Sequence, residues 1–444
     1  MKNKQKGFAG ILLAGFIFTV SVVDAQDKKL ISLSEAIDLG IKNSKQLKIS
    51  QAKTDEATAA LREAVQKKLP NASISGSYLR LSTANIDLKT KNNNGGNNAP
   101  PTVSQAMYGM LNVSLPIYAG SRIKYGIESS RYLEQAAKLD VNVDKAEIIQ
   151  NTIEAFINLY KSKAAVNLVK QNLTESQQRV IEFTNLEKNG VLARNDLLKA
   201  ELQSSNTESS LLDAENNWQL ANINMDLMLG LPEKTELIPD SSSIEQIFSL
   251  GSVDEYVQSA IKNRQDLASL ALKKKAAESG VKATKSEYYP GLSLTGGYIA
   301  ADIPNFLTVT NAVNIGVGVS YNIASLWKTK AKVQQAESRA KQLEATEGML
   351  DDNIRLEVNR VYLNLLSSQK KIQVYQKAVE QAEENYKIIK NKYNNNLATT
   401  VDLLDADSEQ LQAQLNYVFA KADAVVAYNK LLQTSGLTEN GIKK

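Results

Sequence analysis

Apolar residues in the last third of the chain recur in steps of three and four. They are Ile372, Tyr375, Val379, Ala382, Tyr386, Ile389 and Tyr393, and, after Asn394-Asn395-Asn396, Leu404, Leu411, Leu415, Val418, Ala422, Val425 and Leu432. Such spacing predicts two helices with a coiled-coil seam, folded into a hairpin over 326–434. The stretch has no Pro and one Gly, Gly348. Its first arm, roughly 68 residues, would extend about 100 Å at 1.5 Å per residue. The turn leads into Val401-Asp402-Leu403-Leu404-Asp405-Ala406-Asp407, a group of carboxylates at the end of a rod.

A different period governs four shorter segments. In 313–323, Val313, Ile315, Val317, Val319, Tyr321 and Ile323 alternate with Asn314, Gly316, Gly318, Ser320 and Asn322. Segments 291–300 and 108–118 alternate in the same way, and 71–81 does so more weakly, with Ile74 and Tyr78 against Ser73, Ser75 and Ser77. Each predicts a strand of about 10 residues, the length that crosses a bilayer at a tilt. Two packings fit. The apolar faces either meet in a small sandwich core or face lipid while the small polar residues face water. The second is favoured because no bulky side chain stands on the polar faces. Four strands cannot close in a membrane, since open edges are not tolerated there. The barrel is therefore shared between chains, and three chains fit the small inward residues better than two, whose eight-stranded barrel would need filling.

The whole pattern occurs twice. Leu33 to Leu47 aligns with Val253 to Leu267 without a gap, and Pro70, Gly76 and Tyr78 match Pro290, Gly296 and Tyr298. Farther on, Asn189-Gly190-Val191 through Asp196-Leu197-Leu198 matches Asn395-Asn396-Leu397 through Asp402-Leu403-Leu404. The predicted organisation is a first repeat over 26–230, a linker over 231–252 and a second repeat over 253–444. Each repeat runs helix, two strands, long helical hairpin, with the first hairpin over 121–229. The opening helix is expected from an N-cap at Ser34 to about Leu69, where Pro70 stops it. Gly190 and Asn396 suit left-handed helix ends. Pro232, Pro239 and a Ser run predict an irregular linker. Ser82 to Ala106 and Ala301 to Ala312 are expected as loops, the longer one extracellular, which points the helices into the periplasm.

Composition narrows the function. Lys2, Lys4 and Lys6, an apolar run from Phe8 to Val23 and the exit Val23-Asp24-Ala25 predict a signal peptide over 1–25. The chain carries 52 Lys and Arg against 48 Asp and Glu. Removing Lys2, Lys4, Lys6 and Asp24 leaves an excess of two, so no nucleic-acid partner is indicated. There is no Cys and no His. Thiolate chemistry, imidazole catalysis and ordinary zinc sites drop out together, and no cofactor or catalytic group is expected.

With these residues in place, the sequence resembles the outer membrane efflux protein family typified by TolC. The resemblance rests on Leu33-Ser-Glu-Ala-Ile-Asp-Leu, Leu69-Pro70, Leu115-Pro116-Ile117-Tyr118-Ala119-Gly120 and the duplicated turn, of which Val401-Asp402-Leu403-Leu404-Asp405-Ala406 is the most specific part. It implies an α+β membrane protein. A homotrimer would share a 12-stranded transmembrane β-barrel, four strands per chain, continued by a periplasmic α-helical barrel of coiled-coil hairpins. It also implies a passive exit duct for drugs or polypeptides, working with a periplasmic adaptor and an inner-membrane RND or ABC transporter.

By motif, the family's periplasmic aperture falls on Asp402 and Asp405, one turn apart on one helix face, and its gate latch on Tyr393 and Asp196. Where the family latch has Arg, this chain has Ala398. Each site has a plainer alternative. Asp402 completes a capping box with Thr399, Asp196 sits near a helix start, and Tyr393 continues the seam. Asp407 is expected on another face, in solvent. A coiled-coil scaffold of the envelope without channel activity is the alternative function, and an envelope enzyme built on a carboxylate pair is a further one.

Overall fold

The computed structural model describes residues 28–84, 103–244, 249–304 and 306–437. The expected signal peptide and most of the 82–106 loop lie outside them. In chain order the elements are β1 (Lys28–Ile31), α1 (Leu33–Asn43), α2 (Lys45–Gln66), β2 (Asn71–Ala84), β3 (Val103–Ala119), α3 (Arg122–Lys188) and α4 (Arg194–Leu229). There follow β4 (Glu236–Pro239), α5 (Val253–Asn263), α6 (Gln265–Lys285), β5 (Gly291–Ile303), β6 (Leu307–Ser320), α7 (Ser325–Asn394) and α8 (Thr400–Thr434). The series helix, helix, strand, strand, long helix, helix thus occurs twice. At 70 residues, α7 runs about 105 Å at 1.5 Å per residue.

The opening helix is not one rod. Its N-cap is Ser32, whose hydroxyl accepts from Glu35 N at 3.2 Å, and not Ser34. The helix breaks at Ser44, where ψ is 119° and the hydroxyl caps the next helix through Leu47 N. The second copy breaks at the equivalent Arg264, with ψ 124°. That guanidinium holds Asp266 at 2.7 Å and Glu357 at 3.1 Å, tying the bend to α7. Neither break has a Pro or Gly to announce it; a local serine cap marks the first, and an ion pair to α7 marks the second.

Strands β2, β3, β5 and β6 form one antiparallel sheet in that order. Its register lines up the faces. Ile74, Leu111, Tyr298 and Val313 stand in one cross-strand row and Leu115, Leu294 and Val317 in another, while Ser73, Asn112, Gly297 and Asn314 lie between them. Among the described residues no second sheet covers the apolar rows, and Ile74, Val313 and Ile315 are 86%, 77% and 82% exposed. The sandwich-core reading is thereby overturned. Ile117 does not continue the apolar row, because a bulge between Pro116 and Tyr118 hands the pairing with Leu292 to Tyr118. The strands are also longer than expected, 13 to 17 residues, although β6 stops at Ser320, short of the expected Ile323. Most of the expected 301–312 loop is ladder, leaving 304–306 between β5 and β6.

Gly120 begins the passage from sheet to rod. Its φ is +61°, and a Cβ there would meet Ser286 O at 2.4 Å, so both backbone and space require glycine. The linker is not wholly irregular: β4 pairs in parallel with β1, Lys28 opposite Glu236. Together they close a core at mid-rod, with Ile31, Phe156, Leu159, Met225, Leu229 and Leu237 fully buried. A second core packs α5 on α7 and α8 through Val257, Val358, Leu365 and Leu431.

One carboxylate is trapped in the first of these cores. Asp226 is 0% exposed; one oxygen accepts from Asn222 Nδ2 at 2.9 Å and the other has no partner. Burial, then the charge of Glu233, raises its pKa to about 6. A raised carboxylate pKa favours the folded state at low pH, and that advantage disappears as pH rises from the unfolded value to about 6. Asp226→Asn is therefore expected to stabilise the protein at pH 8 by about 1–2 kcal/mol and to lose that gain towards pH 4. Unfolding followed by helical circular dichroism across this range tests it; a pH-independent difference would refute it.

Candidate functional site at the hairpin tips

The two hairpins end together. α3 closes through Asn189 and Gly190, φ +72°, with Val191 N donating to Leu186 O at 2.9 Å. α7 closes through Asn395 and Asn396, φ +60°, with Leu397 N donating to Lys392 O at 2.8 Å. Gly190 and Asn396 are the left-handed positions expected from the sequence. Beyond the turns the copies differ. α8 starts with a full capping box: Thr399 Oγ1 accepts from Asp402 N at 3.2 Å, and Asp402 Oδ2 accepts from Thr399 N at 2.8 Å. α4 starts at Ala193 with no side-chain cap.

A small core welds the tips. Phe183 from α3, Leu197 and Ala200 from α4 and Leu403 from α8 are buried together, with Tyr386, Ile389 and Tyr393 of α7 packed against them. Tyr393 stacks on Phe183, ring centroids 5.6 Å apart. Its hydroxyl bonds to Thr400, while burial and then the nearby Asp196 charge raise its pKa. The carboxylate of Asp196 is bound to Lys199 Nζ at 3.2 Å. Tyr393 and Asp196 are therefore neighbours at the tip, the Asp196 charge opposing ionisation of the phenol.

Asp402 and Asp405 are both exposed at the start of α8. Asp402 belongs to the cap, and the hydrogen bonds from Thr399 hold its pKa below the ordinary carboxylate value. Asp405 has no partner among the described residues and no part in the cap.

Asp407 is not in solvent. It is 1% exposed, and its Oδ2 binds Arg179 Nη1 at 3.0 Å; Arg179 Nη2 donates to Tyr386 OH at 3.1 Å. Burial opposes the guanidinium charge, but Asp407 and Tyr386 more than offset it, and the Arg179 pKa is raised. This clasp joins α3 of the first hairpin to α7 and α8 of the second, about two turns from the tip. Nothing in the local pattern announced it except that Arg179 stands among buried seam residues such as Val169, Leu173, Ser176 and Phe183. A cation on such a seam requires a buried partner. Among the described residues no His, Cys, Asp and Glu group could hold a metal ion, and the carboxylates here act as charges and caps.

Known proteins share this architecture. The outer membrane efflux protein family matches residues 30–231 and 256–437. The chain is 21% identical to the outer membrane efflux protein BepC of Brucella suis biovar 1 (strain 1330), over 98% of this chain and 90% of that one. It is 22% identical to toxin and drug export protein A of Aggregatibacter actinomycetemcomitans, over 82% and 80%. In three dimensions it is similar to the outer-membrane channel OprN, with TM-score 0.77, 17% identity, and 91% and 89% of the two chains covered. The outer membrane protein VceC of Vibrio cholerae gives 0.74, 18%, 91% and 96%. The match takes in both copies of the sheet-and-hairpin unit, and the chain belongs to the outer membrane efflux protein family.

Proposed function

We propose that three copies of this chain form one exit duct, a 12-stranded barrel in the outer membrane continued by an α-helical tube through the periplasm. The observation that carries this reading is the single four-stranded sheet. Its apolar rows are bare, its two outer edges, β2 and β6, are unpaired in one chain, and it runs directly into helices about 105 Å long. Edges open to lipid are not stable, so neighbouring copies complete them. The inward face of Ser, Asn, Thr and Gly would line a wet pore. Purified protein in a planar bilayer should show discrete conductance steps; their absence would sink the duct. It would also favour a coiled-coil scaffold, for which the bare sheet has no use.

The duct would receive cargo from a periplasmic adaptor and an inner-membrane RND or ABC transporter. The relatives' names cover both cargo classes: one is a toxin and drug export protein, another an alkaline protease secretion protein. At the tip, Asp402 and Asp405 from three copies would ring the aperture. Such a ring attracts cations and resists its own closure. The Arg179–Asp407–Tyr386 clasp and the Tyr393–Phe183 stack would hold the hairpins in the closed arrangement, in place of the salt bridge that Ala398 cannot make.

Asp402→Ala with Asp405→Ala is expected to weaken block by a trivalent cation by about tenfold, since both ring carboxylates of each chain are lost. Asp405→Asn alone, which leaves the cap intact, should account for about half of the effect on a logarithmic scale. Unchanged block in both variants would leave Asp402 with capping alone and Asp405 without a role.

A further inference from the structure

Charge is distributed unevenly where the sheet meets the helices. Ala119, Gly291 and Ser320 pair side by side, so three strand ends lie at one level. Every helix arriving there brings exposed cations: Lys67 and Lys68 directly follow α2, Arg122 and Lys124 begin α3, Lys282 and Lys285 end α6, and Lys328, Lys330 and Lys332 begin α7. Across 64–70, 121–127, 281–290 and 321–333 the only carboxylate is Glu287, in a chain otherwise close to charge balance.

Some of these cations are engaged locally. Lys332 binds Glu287 at 2.7 Å and Lys285 binds Glu337 at 2.8 Å. Lys67 lies 3.4 Å from Glu63, and Lys124 and Lys282 flank the Tyr125 ring. Lys68, Arg122, Lys328 and Lys330 have no anionic partner among the described residues. Exposed aromatics stand at the same level, Tyr118, Tyr289, Tyr321 and Trp327 at 46%, 60%, 40% and 63%. Aromatic belts with basic residues beside them mark the boundary between hydrocarbon and head groups. The opposite end of the sheet has Tyr78, Tyr298 and Phe306 exposed but, among the described residues, Arg80 and no such group of cations.

We propose that this collar binds the phosphodiester groups of anionic phospholipids in the leaflet on the helix side of the membrane. The proposal rests on the sheet spanning that membrane. The four unpaired cations are the binding groups, and the aromatic residues seat the glycerol backbone beside them. Repeated in three copies, the collar would fix the depth of the sheet and the angle at which the rod leaves the bilayer.

Trp327 reports on it directly. The full-length protein is reconstituted in vesicles of equal parts phosphatidylglycerol and phosphatidylcholine, with one lipid or the other brominated on its acyl chains. Trp218, packed under Lys163 Nζ at 3.6 Å in the mid-rod core, supplies a constant background. Quenching by brominated phosphatidylglycerol is expected to exceed that by brominated phosphatidylcholine with a relative affinity of about three- to tenfold. The preference should fall to about one in 1 M salt and in the combined variant Lys68→Gln, Arg122→Gln, Lys328→Gln, Lys330→Gln, whose residues support no internal contact. Equal quenching by both lipids in the unaltered protein would overturn the collar while leaving the membrane-spanning sheet intact. Quenching by neither would overturn both.

Discussion

Arg179→Ala should loosen the joined hairpin tips more than any change to the exposed aspartates. The substitution leaves Asp407 buried without its cation and Tyr386 without its donor. Breaking one side of a buried pair costs about 3–5 kcal/mol, mainly because the remaining charge is uncompensated. The protein can escape that cost by letting water reach Asp407, which requires the α3 face to separate from α7 and α8. The expected result is a higher basal conductance and a lower melting temperature. Asp407→Ala should behave alike, with Arg179 now stranded. Arg179→Met with Asp407→Leu removes both charges and should recover most of the stability, because an apolar pair of similar size fits such a site. A double-mutant cycle on conductance and on unfolding separates the pair from its members. If Arg179→Ala shifts stability by less than about 0.5 kcal/mol, as surface changes do, the clasp holds nothing.

The second large effect concerns the sheet. Ile315 stands in a cross-strand row with Gly296, Val113 and Ala72 and is bare in the chain. Ile315→Arg should cost about 2–4 kcal/mol if that row meets hydrocarbon near its centre. The yield of protein inserted into vesicles should drop accordingly. Its neighbour Asn314 lies on the other face, so Asn314→Lys should insert normally and change ion selectivity instead. Equal effects of the two substitutions on insertion would contradict the assignment of faces. Val317→Arg is a second copy of the same test, one row nearer the helices.

These two sites differ in how legible they were. The faces of the sheet follow from a period of two, which any strand imposes on its side chains, and the seam of α7 and α8 follows from the heptad. Gly190 and Asn396 were legible because few residues tolerate a left-handed helix end. Asp407 was not, because its partner lies 228 residues away in the chain and a local pattern cannot separate a buried, paired carboxylate from a solvated one. A comparable distance hid the pairing of β1 with β4, two four-residue strands of which one opens the first repeat and the other lies in the linker after it. The breaks at Ser44 and Arg264 were hidden for another reason. Neither bend carries a Pro or Gly, and each is tied to a distant helix, by Asn43 Nδ2 to Leu229 O of α4 and by Arg264 to Glu357 of α7. The strand ends away from the helices run past the expected ones because alternation fades there while the ladder continues, whereas Tyr321 and Ile323 keep the alternation beyond the end of β6.

The unequal starts of α4 and α8 have a mechanical consequence. The helix after Thr399 is clamped at its first turn by two reciprocal bonds, whereas the helix after Ala193 begins with its first amides unheld by any side chain. A force applied at the tip meets one stiff lever and one compliant lever. Twist delivered there would unwind the first turn of α4 before it disturbed α8. Asp402 and Asp405 would then travel with α8 as a rigid group while the start of α4 yields beside them.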